Sequence, residues 1–148
     1  MTIDIVSLDW ETHSIQHHPA FSGENVGEIT LILAMDCVYN EALVPPFIET
    51  CREICELAYN SRKPSNEKCS GYDTEQTLVL IGIDLRHQDV LECFLLHFVR
   101  AFKVWRVSDS HLSEELKTRV DGESEELGSG YAIFCGVLRE DEDDIKKK

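Results

Sequence analysis

Positive charge is what this chain has least of. Lys and Arg number 14 against 28 Asp and Glu, a formal charge of −14 over 148 residues. A surface that acidic repels phosphate backbones, so direct nucleic-acid binding is not expected and a basic protein is the better partner. Long apolar runs are also missing. None approaches the roughly 20 residues a membrane span needs. The opening stretch, Met1 to Trp10, carries Asp4 and Asp9 and no positive start ahead of an apolar stretch, so no secretory signal is expected. A cytoplasmic location with reduced thiols follows as the expectation. Cysteine is present at Cys37, Cys51, Cys55, Cys69, Cys93 and Cys135, but no Cys or His pair completes a zinc-site spacing, and no metal is expected. Glycine is scarce where a nucleotide would need it. Gly122, Gly128 and Gly130 lie in a late acidic loop, and no glycine-rich turn joins an opening strand to a helix.

What is present alternates between strand-like and helix-like runs. Ile3–Leu8 is a short β-like stretch that ends at Asp9-Trp10. Glu11–Glu28 is polar, holds Pro19, Gly23 and Gly27, and reads as a loop whose histidines, His13, His17 and His18, are solvated. Ile29–Met35 is nearly all apolar, which suits a strand buried on both faces of a parallel sheet. From Leu43 to Tyr59, Val44, Phe47, Ile48, Cys51, Ile54, Cys55 and Ala58 fall on one helical face. Pro45 and Pro46 are tolerated only in a first turn, so the helix starts about there.

Asn60–Gln76 reads as an exposed insertion and Thr77–Ile83 as a second apolar strand. Asp89 is placed to cap a helix that puts Leu91, Phe94, Leu95, Phe98 and Phe102 on one stripe. Lys103–Val107 alternates as a half-buried strand, Ser108–Ser129 is polar and acidic, and Tyr131–Leu138 closes the set. The domain is expected to span residues 1–138, with 139–148 a charged, disordered tail. Alternation of this kind implies an α/β fold with a mostly parallel sheet, helices on both faces and an antiparallel pair at one edge.

Two consequences follow for chemistry. Ile29–Met35 wants neighbours on both sides, and the chain offers few, so an apolar edge is left unpaired. Ligands of doubly wound sheets sit outside the carboxyl ends of strands, which is where Asp36 and Tyr39 fall. The chain thus has half of a cofactor site.

The run Asp36-Cys37-Val38-Tyr39 after a strand, with Leu8-Asp9-Trp10 upstream, resembles the S-adenosylmethionine-dependent lysine methyltransferases of family 16. Further along, Val79-Leu80-Ile81-Gly82-Ile83-Asp84-Leu85-Arg86 carries the same resemblance, which covers nearly all of residues 3 to 107 and more loosely the last strand. It implies the C-terminal half of a seven-strand Rossmann-like methyltransferase fold. The family's glycine loop and its ribose-binding acidic residue precede the Leu-x-Trp element, so this chain is expected to lack them and to bind S-adenosyl-L-methionine weakly by itself. By the same resemblance Trp10 and Met35 line the cofactor pocket, and Asp36 and Tyr39 face the methyl-transfer centre. The implied activity is protein-lysine N-methylation of a large-subunit ribosomal protein, by a chain inactive when alone. The alternative is a non-catalytic remnant or protein-binding fragment of a methyltransferase.

Overall fold

The computed structural model describes residues 3–12, 14–62, 76–108 and 130–139. His13, Cys69, Gly122, Gly128, most of the 60–76 insertion, the acidic stretch from 109 and the tail from 140 lie outside the described residues. The fold is α/β. Strands β1 (Leu31–Met35), β2 (Leu78–Asp84), β3 (Phe102–Arg106) and β4 (Tyr131–Leu138) form a four-stranded sheet in the order β1-β2-β4-β3. Helices α1 (Val44–Arg62) and α2 (Gln88–Ala101) connect β1 to β2 and β2 to β3. The sheet is mixed. β1 and β2 pair parallel, while β4 runs antiparallel to both β2 and β3; β3 with β4 is the expected antiparallel pair at one edge, but with one parallel pairing against two antiparallel ones the described sheet is not the mostly parallel one expected.

The register sorts the side chains onto two faces. Ile32, Ala34, Val79, Ile81, Ile83, Ala132, Phe134 and Gly136 share one face, in the core that α1 and α2 cover. There α1 contributes Val44, Phe47, Ile48, Cys51 and Cys55, and α2 contributes Phe94 and Phe98. Phe94, Phe98 and Phe102 form a run of rings with centroids 5.1 and 5.0 Å apart. The opposite face carries Leu31, Leu33, Met35, Leu78, Leu80, Ile133, Cys135, Val137 and Trp105. No helix among the described residues covers it. The expectation of helices on both faces is therefore corrected. The chain steps in one direction, from β1 to β2 and on to β3, and parallel crossovers are right-handed, so α1 and α2 arrive on the same face. The expectation that Ile29–Met35 is buried on both faces falls for the same reason: Leu31 is 47 % exposed and Leu33 60 %.

Two other segments depart from the sequence reading. Ile3–Leu8 forms no strand; Ile5 is 95 % exposed. A five- or six-residue β-like run is a strand only when a ladder satisfies its backbone, and here none does. Instead His18 Nε2 donates to the Ser7 carbonyl at 2.8 Å, holding this arm beside the next turn. Residues 11–28 are not a plain loop. They make short 3₁₀ turns at Ile15–His17, Pro19–Phe21 and Glu24–Glu28, of which the first and third pack on α1 and bury Ile15 and Val26. Arg62, at the end of α1, clamps this layer to the sheet by donating to the Gly27 and Ile29 carbonyls and to Thr77 Oγ1. Asp89 is not the cap of α2; His87 holds that position and Asp89 lies in the first turn, where its charge suits the helix dipole.

Two sheet glycines give contrasting tests of packing. A Cβ on Gly136 would stand 2.5 Å from Phe98 Cζ and 3.2 Å from Phe102 Cβ, both in the core. A Cβ on Gly82 would meet Met35 Sδ at 2.4 Å, but Met35 is half-exposed on the open face and swings aside. Gly136→Ala is expected to cost about 2–3 kcal/mol and Gly82→Ala less than about 1 kcal/mol, read by urea denaturation. Equal costs would mean that the open face is as tightly packed as the core.

Candidate functional site at the carboxyl end of β1

β1 ends abruptly. Asp36 donates its backbone N–H to the Gly82 carbonyl at 3.0 Å and then turns the chain with φ of 54°, in the left-handed region. Among the described residues it is the one non-glycine residue with positive φ. Asp and Asn tolerate that region better than other L-residues, and strain of this kind collects at functional corners. The turn carries the chain past Cys37 and Val38 to Tyr39, which is 66 % exposed. Asn40 then caps the 3₁₀ turn Glu41–Leu43 by accepting from the Ala42 N–H at 3.0 Å. That turn leads into α1 with Pro45 and Pro46 in its first turn, where neither ring clashes nor removes a needed donor.

A shallow, open cleft lies beside this corner. Tyr39, Asn40, Glu41 and Ala42 form one wall, and Val90 and Cys93 of α2 form the other. Cys93 Sγ donates to the Glu41 carbonyl at 3.8 Å and so ties the walls together. The cleft offers an aromatic face, a carboxylate and an apolar wall. Those are the parts that hold a cationic side chain with an aliphatic stem.

The four site residues read from the sequence fall in different places. Asp36 and Tyr39 occupy the same strained corner. Met35 lies on the open face, its sulfur over Gly82. Trp10 packs its ring on Phe47 of α1, centroids 4.9 Å apart, on the helix-covered side. Sequence reasoning missed Glu41, Val90 and Cys93 as lining residues. Only the pairing of α2 with the loop brings them together.

None of the five thiols among the described residues is activated as a nucleophile. Burial pushes Cys55 up to about 12, and desolvation likewise raises Cys51, Cys37, Cys93 and Cys135 above the ordinary range. A reactive cysteine needs the opposite shift. No three His, Cys, Asp or Glu side chains converge as metal ligands among the described residues. No helix among them is long and apolar enough to cross a membrane.

A strained acidic corner at the carboxyl end of a strand, with an aromatic three residues on, lies where α/β sheets place their ligands. No protein-family model matches the chain. Individual proteins do. The chain is 30% identical to a ribosomal lysine N-methyltransferase 5 of Lachancea thermotolerans, over 76% of this chain and 31% of that protein. It is 31% identical to the proteins of the same name from Saccharomyces cerevisiae strains YJM789 and RM11-1a, over 63% of this chain and 24% of theirs. The chain is a partial match to the ribosomal lysine N-methyltransferase 5 family. It spans about a third or less of the length of these relatives.

Proposed function

We propose that this chain is part of an S-adenosyl-L-methionine-dependent protein-lysine N-methyltransferase that modifies a large-subunit ribosomal protein in the cytoplasm. The observation that carries the reading is the strained Asp36–Tyr39 corner at the end of β1, in a chain whose relatives are named for lysine methylation. In this reading residues 1–138 are the C-terminal part of a seven-strand methyltransferase domain and 139–148 a charged tail. A charge of −14 suits a basic substrate.

The residues present fit the methyl donor only in part. Met35 and Trp10 lie on opposite faces of the sheet, and the described residues form no glycine-rich turn to approach a nucleoside closely. The chain's own residues have a definite task with the amine. A lysine amine titrates near about 10.4 and must shed a proton before it can act as a nucleophile. Asp36 accepts a hydrogen bond from the amine and fixes its direction, and the π face of Tyr39 steadies the partly cationic nitrogen by about 1 kcal/mol. A second reading, a non-catalytic protein-binding fragment, is favoured by the uncovered apolar face.

Disruption of the gene is expected to remove methyl groups from a lysine of one large-subunit ribosomal protein, seen as a mass shift of the tryptic peptide. Unchanged methylation across all ribosomal proteins overturns the enzyme reading. Calorimetry on residues 1–148 alone is expected to show S-adenosyl-L-methionine binding weaker than about 100 μM, since most of the cradle is absent from the described residues. Micromolar affinity would contradict the chain's dependence on further structure.

A further inference from the structure

Glu49 and Glu56 pair with Arg52 along α1, and Asp84 pairs with Arg86 after β2. Glu41 is placed differently. It is exposed on the wall of the cleft beside Tyr39, and no basic side chain among the described residues forms an ion pair with it. The facing wall, Val90 and Cys93, carries no charge. Desolvation first, and then the charge of Glu41, holds the Cys93 thiol above its ordinary range, so the thiol stays neutral and the negative charge of the cleft is that of Glu41. Both walls are fixed. Cys93 Sγ donates to the Glu41 carbonyl at 3.8 Å, and Asn40 caps the turn that carries Glu41. Asp89, exposed one helical turn before Cys93 on α2, adds to the negative field over the cleft.

We propose that this cleft is a specificity subsite for a second basic side chain of the protein substrate, Lys or Arg, distinct from the lysine that is methylated. The inference rests on the lysine-methylating reading above and adds what that reading leaves open, namely which lysines qualify. Three features select a cation with an aliphatic stem. Glu41 supplies the opposite charge. The exposed ring of Tyr39 offers a π face that attracts an ammonium or guanidinium. Ala42 and Val90 give apolar contact, along which such a stem lies while its charged head stays in water. An acidic or phosphorylated segment is repelled by the same carboxylates. An uncharged apolar one would strip water from Glu41 without replacing it.

The cleft adjoins the Asp36 corner without containing it. Asp36 does not line it, whereas Tyr39 belongs to both. Glu41 follows Asp36 by five positions, so their Cα atoms stand at most about 17 Å apart. A bound peptide that rises about 3.3 Å per residue crosses that span in about five residues or fewer. The second basic residue therefore lies within about five positions of the target lysine, in the same short segment of the substrate. The subsite reads the sequence around the lysine, while the charge of −14 favours basic proteins only as a class.

The test uses the full-length protein and synthetic peptides built on Gly and Ala. Each peptide has a single lysine, with Arg at one position from about five before it to about five after it. At one offset, Arg is expected to lower KM by about tenfold relative to the peptide without Arg, with kcat changed by less than about twofold. Glu41→Gln should remove that preference, and Glu41→Lys should transfer it to the peptide with Glu at the same offset. Glu28→Gln removes the same charge beside the last turn of α1, away from the cleft at its start, and should leave the preference intact. Calorimetry on peptides with the lysine replaced by Met should give the same order of affinities without turnover. An Arg preference at no offset, or one that survives Glu41→Gln, overturns the subsite. So does a Glu41→Gln protein whose kcat falls while KM stays put, because Glu41 then serves the methylated amine itself. Arg-dependent binding with no lysine methylated upholds the ligand of the cleft and overturns the enzyme reading instead.

Discussion

On the proposed lysine-methylating function, Asp36→Ala made in the full-length protein is expected to lower turnover by about 100-fold, equivalent to about 2.7 kcal/mol of barrier. The cause is loss of the acceptor that aims the amine. The structure adds a complication. Asp36 sits at φ 54°, so Ala also strains the backbone by about 1 kcal/mol or more. Two further variants separate these effects. Asp36→Gly relieves the backbone and still deletes the carboxylate, so its turnover should fall as far as that of Ala while its stability matches or exceeds wild type. Asp36→Asn keeps the backbone tolerance and some hydrogen bonding without the charge, so it should fall between wild type and Ala. Affinity for the methyl donor should change far less in all of them. Turnover per folded molecule, with melting followed in parallel, decides the matter. Normal turnover in a folded Asp36→Gly enzyme removes the side chain from the mechanism and leaves Asp36 as a turn residue alone.

That corner was legible in the sequence for a simple reason. An uninterrupted apolar run that stops at an acidic residue marks a strand end whatever lies around it, and the run Ile29–Met35 then Asp36 does so here. The helices were equally plain. The 3.6-residue stripe from Val44 to Ala58 and the two prolines fixed the face and start of α1, and Tyr131–Leu138 matched its strand end to end. Burial on each face of β1 was not legible. An all-apolar strand predicts cover on both sides, but cover depends on where the crossovers carry the helices, and α1 and α2 both go one way. Residues 11–28 were misread because Pro and Gly punctuate packed 3₁₀ turns as readily as open loops, and the burial of Ile15 and Val26 has no periodicity to reveal it. Of the site, the two residues three positions apart on one turn, Asp36 and Tyr39, were found together. The wall from α2 was missed because its approach to Glu41 is a tertiary fact.

Phe98→Ala is expected to have the largest effect on stability, about 3–5 kcal/mol. The ring is fully buried, stacks on Phe94 at 5.1 Å, meets Phe102 at 5.0 Å, and fills the space that Gly136 leaves beneath it. Deleting it opens a cavity bounded by a strand on one side and by rings held from two elements on the other, so collapse into it is difficult. Among the described residues the sheet has one covered face from which to draw stability, and domains hold only about 5–15 kcal/mol in total. A loss of this size should therefore shift the urea midpoint far down or leave the chain unfolded at 25 °C. Leu33→Ala, on the open face, should cost less than about 1 kcal/mol in residues 1–148 alone, because a 60 % exposed side chain loses little by truncation. The contrast also bears on function. Phe98 anchors α2, and α2 supplies Val90 and Cys93 to the cleft beside Tyr39. A milder change at the same place, Phe98→Leu, should keep the fold yet loosen that wall, so the KM for the lysine substrate in the completed enzyme should rise more than turnover falls. If Leu33→Ala proves as costly as Phe98→Ala in the chain alone, the open face is packed as tightly as the covered one.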